Sequence, residues 1–204
     1  MKWVIVMFVN GLEVKIKTMN QIVIKPNTNK QKGFHFTLCS SSRTITFSFT
    51  ESCKYISGDQ QSDLHKLFGI GIFHLFGSFK TTKNKKWWEL HKWHSARLGW
   101  RYNHIEDVFE ITDYCYINGI GERNTNDNLI VKVKAGEVVT VTIRLDKDGF
   151  SFYITDCNAN MYIIEKNFKT PFFICVPFLL RLNAYVGSGF TTNKEMNINV
   201  YYEY

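Results

Sequence analysis

The chain has 204 residues, 45% of them apolar and 16% aromatic, with three prolines. That composition excludes global disorder and collagen-like repeats, and no apolar run reaches the ~18–20 residues of a membrane-spanning helix. Lys plus Arg is 25 against 18 for Asp plus Glu, a net charge of +7. A mildly basic surface suits anionic partners such as nucleic acid, acidic glycan or an acidic protein face, and it equally serves solubility.

The first element is expected at residues 3–17. Trp3–Val9 is short for a signal sequence and no small-residue cleavage site follows it. Instead Asn10-Gly11 separates it from an alternating run (Leu12, Val14, Ile16), the signature of a tight β-hairpin. Residues 1–25, including the apolar run at 21–25, are therefore assigned to an N-terminal hairpin or edge extension, and residues 26–204 to the main domain. After the polar loop at 26–32, strands are expected at 33–39 and 43–50. In the second, Ile45, Phe47 and Phe49 alternate with Thr44, Thr46 and Ser48. At 59–68 the spacing of Leu64, Leu67 and Phe68 behind Asp59–Asp63 reads as a capped single helical turn. Residues 69–79 read as a glycine-interrupted strand and 81–86 as a basic loop.

From Leu98 the phase is clear: Leu98, Trp100 and Tyr102 share one face, Arg97, Gly99 and Arg101 the other. In the strand expected at 108–117, Phe109, Ile111, Asp113, Cys115 and Ile117 face one side, and Glu110, Thr112, Tyr114 and Tyr116 the other. Asp113 breaks the apolar pattern and is expected at an edge or bulge. Further strands are expected at 129–134, 138–145, 150–155, 172–180 and 195–203, with a turn at Asp146–Gly149. Some dozen short strands with no helix of ordinary length indicate an all-β antiparallel sandwich or barrel.

The five cysteines (Cys39, Cys53, Cys115, Cys157, Cys175) are odd in number and contain no Cys-x-x-Cys pair. Neither a disulfide framework nor a zinc site is expected, and synthesis in a reducing cytoplasm suits free thiols. His91 and His94 would point to opposite faces of a strand and could not chelate together. The remaining histidines form no local constellation and read as surface or edge residues. Asp146–Gly149 resembles the start of a calcium loop, but Cys157 stands where the bidentate Glu belongs. No nucleophile elbow, phosphate loop or zinc-protease motif occurs, so no catalytic residue, metal or cofactor is assigned. Glu110 and Asp113 fall on opposite strand faces and make a poor acid–base pair.

The best binding candidate is the segment Lys80–Arg101. Its lysines precede Trp87, Trp88 and Trp93, with Arg97 and Arg101 beyond. Aromatic planes beside cations suit sugars or single-stranded nucleic acid. Trp87, Trp88, Trp93, Arg97 and Arg101 are taken as the ligand-binding set.

The segments Glu51–Tyr55, Asp63–Gly71, His94–Tyr102, Tyr114–Gly119 and Ala184–Gly187 resemble an uncharacterised family of jelly-roll (concanavalin A-like) proteins of gut Bacteroidetes and their phages. The resemblance spans residues 34–200 and implies a jelly-roll β-sandwich with no established activity. It departs at the closing segment, where Gly187-Ser188-Gly189 and Thr191-Thr192-Asn193 replace a Gly-Gly and a later Pro. With the abundance of Asn, Lys and Ile, which suits the phage branch, the reading favoured is a non-catalytic structural or recognition protein, a phage surface or tail component in contact with other virion subunits, itself or glycans. A carbohydrate-binding module, or a polysaccharide lyase or hydrolase on the same fold, is the alternative, although the Gln-Ile-His signature of alginate-lyase-like jelly rolls is missing. Nucleic acid is a less favoured partner and a membrane is not expected.

Overall fold

The computed structural model describes residues 5–9, 12–16, 18–28, 35–36, 41–56, 63–72, 94–117, 119–123, 131–168, 179–182, 184 and 193–202. Among them the chain is almost entirely antiparallel β. Strands β1 (Ile5–Val9) and β2 (Leu12–Ile16) form a two-stranded sheet of their own, in the register Val9↔Leu12 that a two-residue Asn-Gly turn demands. No helix among the described residues is long and apolar enough to cross a membrane.

The six-stranded sheet runs β13 (Met161–Asn167), β12 (Gly149–Thr155), β11 (Val138–Asp146), β5 (Ser42–Phe49), β15 (Met196–Tyr202), β3 (Thr18–Ile24). Strand β3 pairs β15 along seven residues, so the segment grouped with the N-terminal extension at sequence level forms an edge of this sheet. The seven-stranded sheet runs β10 (Val131–Val133), β8 (Val108–Ile117), β7 (Ser95–Asn103), β6 (His65–Ile72), β14 (Leu179–Leu182), β4 (His35–Phe36). Strand β9 (Ile120–Arg123) lies on the same flank of β8 as β10.

The two sheets meet face to face, because each strand's alternation puts its apolar residues on one side. Phe49 of β5 stacks on Phe109 of β8 with centroids 4.4 Å apart, and meets Trp100 of β7 at a tilt, 4.8 Å away. Phe47 meets Phe68 of β6 edge-on at 5.7 Å. Val139, Val141, Ile143, Phe150, Phe152 and Ile154 complete a core drawn from both sheets. The molecule is a β-sandwich. Behind β5, a ladder of hydroxyls (Thr44–Thr142 at 2.9 Å, Thr46–Thr140 at 3.0 Å) covers the other face of the six-stranded sheet.

Three expectations are corrected. Residues 65–68 belong to strand β6, not to the tail of a helical turn, and 69–72 continue the strand as expected. The β6–β7 register shifts between Lys66 and Gly69, so Leu67 and Phe68 together oppose Leu98. This bulge turns two consecutive residues inward, and the resulting spacing imitates a helix. Asp113 is neither at an edge nor in a bulge: it pairs Leu98 inside the unbroken β7–β8 ladder and is fully buried. Strand β13 was not foreseen. Met161–Ile164 is a continuous apolar run without alternation, and Met161 and Ile163 are exposed at the sheet edge.

Candidate functional site

The outward face of the seven-stranded sheet carries the chemistry. In β7, Ala96, Leu98, Trp100 and Tyr102 enter the core, which leaves Ser95, Arg97, Gly99 and Arg101 outside. In β8 the outward set is Glu110, Thr112, Tyr114 and Tyr116. The ladder sets Ser95 opposite Tyr116, Arg97 opposite Tyr114, Gly99 opposite Thr112 and Arg101 opposite Glu110. Strand β6 adds Lys66, opposite Gly99.

Lys66, Arg97, Tyr114 and Tyr116 therefore converge from three adjacent strands. The Lys66 ammonium lies 4.4 Å from the Tyr114 ring centroid and 5.3 Å from that of Tyr116, within cation–π range. Its Nζ donates to the Tyr116 hydroxyl at 3.4 Å, and the Tyr114 and Tyr116 hydroxyls are 3.5 Å apart. Lys66, Arg97 and Tyr116 are half-buried, and Tyr114 is buried. Ser95 Oγ, opposite Tyr116, is buried without a hydrogen-bond partner. A buried hydroxyl without a partner costs about 1–3 kcal/mol. The cluster joins two cations, two phenols and an unsatisfied hydroxyl, a donor set suited to a carboxylate-bearing ligand.

Farther along β7 the character changes. Arg101 Nε bonds Glu110 Oε2, and Asn103 Nδ2 donates to Glu110 Oε1 at 2.9 Å. Burial works to raise the Glu110 carboxyl, but the bonds from Asn103 and Arg101 outweigh it and hold it below the usual value. Arg101 is thereby committed to neutralising a buried carboxylate.

Of the two described members of the sequence-level binding set, Arg97 joins the cluster and Arg101 does not. Arg101 shares its face, as the alternation required, but sits about 13 Å along the strand and serves Glu110. Trp87, Trp88 and Trp93 lie outside the described residues. Lys66, Ser95, Tyr114 and Tyr116 were not singled out. The outward phase of Tyr114 and Tyr116 was legible; their adjacency to Lys66 depends on strand order.

His65 corrects another expectation, while His104 is exposed as expected. His65 is buried against Tyr55 and Trp100, with centroids at 4.9 and 5.0 Å, and His94 is buried and stacked on Phe168 at 4.6 Å. Among the described residues no His, Cys, Asp or Glu group could hold a metal ion, and Cys53, Cys115 and Cys157 are free thiols. Asp146 and Gly149 close the β11–β12 hairpin, so the calcium-loop likeness is a turn.

No family model matches this chain, and no curated protein matches it. Solved structures with a similar course exist. The alginate lyase vAL-1 from a Chlorella virus is 12% identical and aligns over 100% of this chain and 90% of its own, with a TM-score of 0.46. A Lotus tetragonolobus seed lectin is 9% identical over 92% of this chain and 86% of its own, with a TM-score of 0.43. The lectin UEA-II, complexed with galactose, is 13% identical over 94% and 89%, with a TM-score of 0.41. None reaches a TM-score of 0.5, and none carries an argument about what this chain does.

Proposed function

We propose that the outer face of the seven-stranded sheet binds an acidic polysaccharide rich in uronate residues and cleaves it by β-elimination. The observation that carries this reading is the convergence of Lys66, Arg97, Tyr114 and Tyr116, with the partnerless Ser95 hydroxyl beside them. Uronate elimination needs two things. The sugar carboxylate must be held by cations, so that charge spreading into it as the neighbouring C–H bond breaks is stabilised. A base must take that proton and an acid must protonate the departing glycosidic oxygen. Arg97 and Lys66 suit the first need. The paired phenols suit the second: Tyr116, reacting as the phenolate beside the Lys66 ammonium, takes the proton, Tyr114 gives its own phenolic proton to the departing oxygen, and a proton passing from Tyr116 to Tyr114 restores the pair. The C–O bond to the leaving sugar breaks, and a double bond forms in the ring left behind. This reading departs from the non-catalytic expectation raised by the sequence. A virion role is carried by the family resemblance alone.

The test is incubation with a panel of polyuronates and neutral glucans, following the ultraviolet absorbance of the unsaturated product. Turnover is expected on a polyuronate only. Tyr116→Phe, which keeps the ring under Lys66, should lower kcat by about 10²–10⁴-fold without altering the thermal midpoint. Saturable polyuronate binding with no product from folded wild-type protein would reduce the site to a recognition surface. Absence of both would overturn the reading.

A further inference from the structure

The bulge that separates Lys66 from Gly69 is held from behind, through the core. Arg43 belongs to β5, in the opposite sheet, and shares its inward phase with Ile45, Phe47 and Phe49. Its Nη1 donates to the Gly69 carbonyl at 2.8 Å and to the Leu182 carbonyl of β14 at 3.3 Å. Its guanidinium carbon lies 5.7 Å from the centroid of Phe68, one of the two bulged residues. A cation from one sheet thus grips the backbone of the other at the place where the ladder is irregular.

Both cations of the candidate site border that irregularity. Lys66 is the last residue in register before it and Gly69 the first after it, opposite Arg97. A Cβ on Gly69 would lie 2.5 Å from Arg97 Cγ and 2.2 Å from the Ala96 carbonyl oxygen, so the Arg97 stem runs directly over the glycine. The offset between Lys66 and Arg97 is therefore set by the conformation of Leu67 and Phe68. Bulges beside active sites commonly re-aim a side chain in this way.

We infer that Arg43 is a positioning residue, which acts through the Leu67–Phe68 bulge to hold Lys66 and Arg97 at the spacing the site uses. This inference rests on the polyuronate reading of the cluster. The experiment is a double-mutant cycle on polyuronate cleavage with Arg43→Met, Lys66→Met and the combined variant. Val141→Ala, in the core but away from the bulge, serves as a control for destabilisation. Arg43→Met should lower kcat by up to about 100-fold, the scale of a displacement near 1 Å in a catalytic group. Arg43→Lys should restore part of the loss. In the Lys66→Met background Arg43→Met should cost clearly less than it does alone, because the part of its effect that runs through Lys66 is already lost and only the part through Arg97 remains. Amide exchange over residues 65–72 should quicken in Arg43→Met and not in Val141→Ala. Multiplying losses in the double variant, a kcat loss no larger than in Val141→Ala, or unchanged exchange at the bulge would each overturn the inference while leaving the polyuronate reading intact. A wild-type protein without activity on any polyuronate would remove that reading, and this inference with it.

Discussion

His65 shows how a single buried ring becomes a pH sensor of stability. It sits 1% exposed between Tyr55 and Trp100, and burial pushes its pKa from 6.5 down to about 4. The folded state therefore holds His65 neutral where the unfolded chain binds a proton. The sign follows: stability is fully present above pH 6.5 and drains away as pH falls from 6.5 toward about 4. The depression corresponds to about 3 kcal/mol at the acid end. Glu110 and Asp156 are also held low, but they act below the ordinary carboxylate range. Urea unfolding followed across this window should show a falling midpoint for the wild type and a flatter curve for His65→Phe. The replacement shifts the whole curve by whatever packing and hydrogen bonding it alters, so the slope is the readout. Equal slopes would mean that His65 is charged in the fold.

At the scale of elements, the hairpin β11–β12 and the edge strand β13 depend on one backbone position. Gly149 has φ +143°, a conformation L side chains rarely adopt, and an added Cβ would lie 2.0 Å from the Lys166 carbonyl oxygen. Gly149→Ala therefore strains the turn and pushes β13 outward at once. It should cost at least about 2 kcal/mol in denaturant unfolding and quicken amide exchange in residues 161–167 before the rest of the sheet. Uniform exchange would mean that β13 is not held through this contact. The same region marks where sequence reading succeeds and fails. The Asp146–Gly149 turn and the alternation of β7, β8 and β11 were legible because one face is apolar and the period is two. Strand β13 was not, since Ile163 is exposed while Ile164 is buried and Lys166 points inward. Strand β6 was misread because its bulge breaks the period. That misreading hid Lys66, and with it the candidate site. The outward phase of Arg97, Tyr114 and Tyr116 could be read from the chain, but only the strand order β8-β7-β6 brings a cation from β6 beside them.

Across the described residues the aromatic core joins the sheets without direction, while the Arg43 hydrogen bonds and an ion pair join them with it. Asp113 of β8, 0% exposed, faces Lys166 Nζ of β13 at 3.3 Å from the other sheet. Burial raises the Asp113 carboxyl above its ordinary value, and the Lys166 charge works against that rise. A buried pair adds little when compared with apolar residues of the same size, yet losing one partner is expensive because the other charge is stranded. Lys166→Met should therefore cost about 3–5 kcal/mol at neutral pH. The penalty depends on pH with a definite sign. Without Lys166 the folded pKa of Asp113 rises further, so folding favours proton uptake and stability falls as pH rises toward that pKa. The deficit against wild type should then be largest at neutral pH and shrink as pH falls toward the carboxylate range, where a protonated Asp113 needs no cation. Asp113→Leu combined with Lys166→Met should recover most of the loss at neutral pH, since no charge is left in the core. Unfolding curves at several pH values decide the matter. A constant deficit, or none, would mean that Asp113 is neutral in the wild-type fold and that this pair does not align the two sheets.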